Sequence, residues 1–220
     1  VVTPVTLDPV WGPLITEVDV DLAVIKTLRK WLPMYLAQVE RERDLDVGTL
    51  ARPKAGAYTN TIEDDEFHDH PLPAIIVTTA STTAAPVQTA DSSYETAWRV
   101  IVSSVTRGRT APETRALAAL FSASVRRVLT QQASLDGFSG GVQWVASGLQ
   151  PVTDSTDQGR YLAAGINEFV VFVDNVLAPD LGPGGAPYDP ADPENNPDSP
   201  LDPFAAVATV NVSVEPTSEE

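Results

Sequence analysis

Cysteine is absent from the 220 residues, and histidine occurs only as His68 and His70. Without thiols the chain has no disulfide, no thiolate metal site and no cysteine nucleophile; compartment stays open. No apolar run reaches the ~18 residues of a membrane-spanning helix, so none is expected. The segment Val1-Val-Thr-Pro4 has neither a basic stretch nor an apolar one, and no secretory signal is expected there. No Walker loop and no dinucleotide fingerprint is found, and no cofactor is expected.

Basic residues are missing from one whole stretch. All 14 Lys and Arg precede residue 179, whereas nine of the 30 Asp and Glu follow it. The net charge of −16 therefore divides into −7 before residue 179 and −9 after it. A field of that sign repels phosphate, which excludes nucleic-acid binding through bulk charge. It suits a surface that DNA must pass without sticking.

A hydrophobic content of 43% is ordinary, and the length fits one well-buried domain plus an extension. Four segments are expected. Residues 1–17, with Pro4, Pro9, Pro13 and Trp11, form an extended arm. Residues 18–175 form the folded core. Residues 176–203 are a Pro/Gly/Asp-rich linker, and residues 204–220 carry a strand and an acidic tail. In that last piece Val210, Val212 and Val214 alternate with Asn211 and Ser213, the period of a strand. A lone strand cannot satisfy its own backbone groups. It must pair with a distant edge, in its own subunit or in a neighbour.

Within the core, Asp19 or Asp21 is positioned to cap a helix carrying Leu22, Ile25, Leu28 and Leu32 on one face. Pro33 should kink or restart it. Leu36 and Val39 resume the pattern before the charged end at Glu40–Asp44. Residues 44–72 read as irregular, with a short strand near Ala55–Thr59. A buried strand follows at Ala74–Thr78, a loop at Thr79–Ala90, and a long strand at Tyr94–Thr106 with Tyr94, Thr96, Trp98, Val100 and Val102 on one face. Thr110-Ala-Pro-Glu113 is a capping-box signal for a helix to about Gln131. Its stripe is Leu117, Leu120, Phe121, Ser124, Val128 and Leu129. Two strands complete the core, Val142–Val152 and Tyr161–Asp174. Short connections between successive strands argue for antiparallel pairing. The expected class is α+β: an antiparallel sheet with two main helices on one face, plus the C-terminal tethered strand. The other sheet face is partly apolar, which fits burial against another subunit.

Chemistry-bearing patterns are few. His68 and His70 lie among carboxylates and, with Asp64 or Glu66, could hold a divalent ion; no other His or Cys exists to complete a closed site, and an acidic surface loop with two exposed histidines explains them better. Gly137-Phe-Ser-Gly-Gly141 matches the nucleophile-elbow string, yet the order of elements is reversed and no histidine follows it. A helix-ending turn explains it better. Trp98 and Trp144 read as core. Trp11 reads as an anchor on a neighbouring surface. Arg107 and Arg109, basic in an acidic chain, could dock an acidic partner or sense DNA phosphates; a solvated turn is the plain alternative.

From about Val18 to Asp174 the chain resembles the tail terminator (tail-completion) proteins of long-tailed bacteriophages. The features that carry this are the helix Asp19–Glu42, the strands Pro73–Ala80 and Tyr94–Thr106, the Arg107-Gly-Arg-Thr-Ala-Pro-Glu113 turn, and the hairpin Gly141–Asp174 ending in Glu168-Phe-Val-Val-Phe-Val-Asp174. The resemblance implies a structural virion protein without enzymatic activity. It implies a ring, usually of six copies, that caps the head-proximal end of the tail tube and stops its polymerisation. The implied partners are other copies of the chain, the tail tube protein and a head-closure or connector protein. DNA would cross the lumen without sequence-specific binding, and no membrane is involved. Strands 94–106 and 161–173 would form the sheet between subunits. The extension 179–220 departs from a compact terminator and could lace one subunit to the next or reach another neck ring.

Overall fold

Thr16 opens the first helix, α1, Glu17–Glu42, in a computed structural model that describes residues 15–61, 71–89, 94–152 and 161–177. Its backbone N–H and its hydroxyl both donate to Asp19 Oδ2, at 2.8 and 2.7 Å. Asp19 thus returns a bond to the cap residue from the first turn, where negative charge also suits the helix dipole. The cap is therefore Thr16, not Asp19 or Asp21. Asp21 is instead buried and accepts the Thr79 hydroxyl at 2.7 Å.

The buried stripe of α1 is Val20, Val24, Ile25, Leu28, Leu32, Leu36 and Val39. Leu22, expected on that stripe, is 51% exposed. It follows Val20 by two residues, roughly 200° around the helix. Pro33 lies inside α1 and does not restart it. Proline removes one helical hydrogen bond. Leu28, Leu32 and Leu36 on either side of it are wholly buried, and burial of such side chains stabilises by roughly 1.5–3 kcal/mol each, enough to carry the helix through.

The strands are β1 (Tyr58–Thr59), β2 (Ala74–Thr82), β3 (Val87–Gln88), β4 (Tyr94–Gly108), β5 (Gly141–Val152) and β6 (Tyr161–Leu177). They form one sheet in the order β1-β2-β4-β6-β5, with β3 paired to β4. β1 is parallel to β2 and makes the sheet mixed; β2 with β4, β3 with β4, and β5 with β6 are antiparallel. The expected strand near Ala55–Thr59 shrinks to β1, because Ala55–Ala57 coil into a short 3-10 turn. The expected loop at Thr79–Ala90 is partly strand. β2 runs on to Thr82 against Trp98, and Val87–Gln88 pair with Tyr94 and Glu95. Polar Thr and Ser suit a solvent-facing strand end as well as a loop, so composition did not separate them.

The second helix, α2, is Ala111–Gln131, with Thr110 as its cap accepting from the Glu113 N–H at 3.3 Å. Its buried side is Thr114, Ala118, Phe121, Ser122, Ser124, Val125, Val128 and Leu129, while Leu117 and Leu120 are only half-buried. Small residues on that side bring it close to the sheet. A Cβ placed on Gly165 of β6 would stand 2.6 Å from Ser122 Cβ and 2.7 Å from the Ala118 carbonyl oxygen. Asn167, fully buried, donates to the Ser122 carbonyl at 3.1 Å.

Both helices cover one face of the sheet. Ile75, Val77, Val100, Val102, Phe169 and Val171 point into the core they share with α1 and α2. The class is α+β, a sheet with two helices on one side. Ile15–Val176 make up one compact unit. The tethered C-terminal strand lies outside the described residues.

Candidate functional site

Alternation along each strand sends the residues between the core positions to the face without helices. There Ala74, Val105 and Ala164 are buried together, with Ile76 and Ile166 against them. Ile101 and Val170 are half-buried, and Phe172 is 41% exposed. One ion pair crosses this face, Arg99 Nε to Glu168 Oε1 at 2.8 Å. The hydrogen bond to Glu168 raises the Arg99 pKa above its ordinary value. Among the described residues the middle of this surface is apolar around that ion pair, with Glu95, Arg107 and Asp174 exposed towards the strand ends.

β5 ends the sheet, and among the described residues nothing pairs with its outer side. Trp144 faces Phe169 and Ala146 faces Glu168, so Val145 is the extra residue of a β-bulge. Trp144 was expected in the core and is 42% exposed; Val145 is 50% exposed. The reason is position. Trp144 lies on the helix side of an edge strand, where α2 covers it only in part.

Arg126 of α2 lies over the Trp144 indole, its guanidinium carbon 4.6 Å from the ring centre. Beside them opens a groove of about 460 Å³, bordered by Val39, Glu42, Arg43, Arg126, Arg127 and Trp144. Arg127 Nη1 contacts Glu42 Oε2 at 2.9 Å, and that bond holds the Glu42 carboxyl below its ordinary value. Three guanidinium groups thus meet one carboxylate in a chain whose net charge is −16.

Arg107 and Arg109 are exposed at the end of β4 and in the following turn. Gly108 between them approaches α2 closely; a Cβ there would stand 2.7 Å from Thr114 Oγ1. The Arg109 backbone N–H donates to Glu113 Oε2 at 3.0 Å, which fixes the turn. Arg107 borders a separate cavity of about 160 Å³ with Thr49, Leu72 and Phe121. Trp11, Val210, Val212 and Val214 lie outside the described residues, as do His68 and His70. Among the described residues no group of three or more His, Asp or Glu side chains could hold a metal ion. Ser139, of the nucleophile-elbow string, donates to the Ala133 carbonyl at 2.7 Å in a turn where Asp136 and Gly137 have φ of +58° and +92°. That is a helix-ending turn. No helix among the described residues is long and apolar enough to cross a membrane.

Arg126, Arg43 and Trp144 were not singled out from the sequence as an interaction site. The signal that bore on them was Trp144-Val145, two large apolar residues in a row that break a period of two.

No family model matches this chain, and no curated protein matches it. Among solved structures it is similar to a chain from "Virion of native gene transfer agent (GTA) particle", at 14% identity and a TM-score of 0.34. The match covers 64% of this chain and 94% of that one.

Proposed function

We propose that this chain is a structural virion protein and not an enzyme: a tail terminator that closes the head-proximal end of a phage tail tube as a ring of about six copies. The observation that carries this reading is the one-sided sandwich. Helices cover one sheet face, while the other presents Ile76, Ile101, Ile166, Val170 and Phe172 around one ion pair. A half-apolar sheet face and an edge with no partner among the described residues are suited to meeting a second copy. The resemblance of the Val18–Asp174 region to tail terminators gives that copy its setting.

On this reading the partners are other copies of the chain, the tail tube protein on one side and a head-closure or connector protein on the other. The site of action is the neck of the virion. DNA passes through the lumen and is not held, in keeping with the acidic balance. The arm 1–17 and the linker and strand of 176–220 tie the core 18–175 into the assembly.

The test is mass by light scattering on the purified chain, alone and with tail-tube protein, followed by negative-stain imaging. Rings, or rings that form only on tube ends, support the reading. A monomer that ignores tubes overturns it. Deleting 179–220 should leave a folded core with a weaker ring; equal assembly and equal thermal stability would count against that role for the extension.

A further inference from the structure

Two features of the chain are complementary. Among the described residues β5 has no partner on its outer side, and it runs beside a groove with Arg43, Arg126 and Arg127. Residues 179–220 carry no basic residue and nine acidic ones, and they contain the alternating segment Val210–Val214. We infer that the β5 edge receives Val210–Val214 of a second copy as an antiparallel added strand, with the carboxylates that follow seated at Arg126 and Arg43. This rests on the reading of the chain as a self-assembling subunit, and names the surface that does the joining.

The edge itself sets the register. Val145 is bulged, and Pro151 has no N–H to give, so the longest regular run for pairing is Ala146–Gln150. Five residues match the five of Val210–Val214. Ala146, Gly148 and Gln150 pair with Glu168, Ile166 and Ala164 of β6, so they belong to the apolar face that has no helices. Aligning Val214, Val212 and Val210 with those three extends the apolar face by one strand. Asn211 and Ser213 then fall on the side where Arg126 approaches Ser147. A slip of one residue would set the valines on that polar side instead.

Antiparallel direction brings the end of the added strand to Val145 and Trp144. Glu215, Glu219 and Glu220 follow it in sequence, next to the Arg126 guanidinium. The opposite direction would bring Asp202, farther along the chain, in their place. The stretch 178–209, between the end of β6 and the added strand, spans at most about 105–115 Å when fully extended, ample to reach a neighbouring copy.

The absence of cysteine makes the test clean. Gly148→Cys meets no atom within 4 Å and has no positive φ to strain. Gly148→Cys and Val212→Cys proteins are prepared separately, mixed under assembling conditions and oxidised. A disulfide-linked dimer containing one of each is expected, at several-fold higher yield than with Asn211→Cys, whose side chain falls on the other face. Charge reversal at Arg126→Glu in the Gly148→Cys protein should lower that yield several-fold. Assembly by light scattering with no Gly148–Val212 dimer would overturn this inference and leave the assembling reading standing. A Gly148–Gly148 dimer would overturn it in favour of edge-to-edge pairing. An internally linked monomer from the double variant, without the mixed dimer, would overturn the second-copy assignment. A chain that stays monomeric throughout overturns both readings.

Discussion

Glu40 and Arg52 form an ion pair whose carboxylate is only 2% exposed, with Arg52 Nη2 2.7 Å from Glu40 Oε2. The same carboxylate accepts the Leu50 N–H at 2.8 Å and the Gly48 N–H at 3.1 Å. One side chain at the end of α1 thereby pins the loop that leads towards β1. The Arg52 bond and these N–H groups hold the Glu40 carboxyl below its ordinary value, against the opposing effect of burial.

Glu40→Gln should therefore lower stability by about 2–4 kcal/mol near neutral pH, because it leaves Arg52 without its charge partner. A depressed folded-state pKa gives stability that is present above the ordinary carboxylate range and lost as pH falls through the folded value. The gap between wild type and variant should narrow on acidification. Urea unfolding from pH 7 to pH 3 measures this, and a gap that stays constant would contradict it.

Asp21 runs the other way. Burial raises its pKa, with the Thr79 hydrogen bond only partly opposing. A raised folded-state pKa means the ionised carboxylate costs stability; the cost starts to fall as pH drops through that value and is gone below the ordinary carboxylate value. Asp21→Asn keeps an oxygen for the Thr79 hydroxyl and removes the charge. It should melt higher than wild type at pH 7 and lose that advantage in acid, as followed by thermal denaturation across pH.

Gly165→Ala should destabilise by about 1–3 kcal/mol through overpacking. The added methyl meets both Ser122 and the Ala118 carbonyl. Changing Ser122 to glycine as well should not restore stability, since the Ala118 carbonyl belongs to the helix backbone and stays. Full rescue in a denaturant melt would place the clash elsewhere.

The Tyr58 hydroxyl is buried without a hydrogen-bond partner among the described residues, and burial pushes its pKa up to about 12. Tyr58→Phe removes that unpaired group and should leave the protein as stable as wild type or more so, by up to about 1 kcal/mol. Ultraviolet titration should show one fewer tyrosine ionising near pH 12 in the variant. A loss of stability would reveal a partner for the hydroxyl.

The two helices, the strands β4, β5 and β6, and the α+β class followed from the sequence because each has its own local cause. Thr110 and Glu113 begin α2, and Phe169, Val171 and Val173 repeat every second residue down to the core. Such signals act over a few residues and need no distant partner. Their limits are local too. Pro33 reads as a break, and only the packing of Leu28, Leu32 and Leu36 carries α1 through it. Thr79–Thr82 read as loop, and only pairing with β4 makes them strand.

What the tertiary structure decided is which residues are left over once the core is filled. The sequence alone determined that one acidic, cysteine-free domain carries an extension with no basic residue. It did not determine that β6 lies between β4 and β5, which makes β5 the edge and brings Trp144 out to meet Arg126. Strand order is set by contacts between residues far apart in the chain. No local period records them, so the apolar sheet face and the arginine groove come into view only when the sheet is assembled.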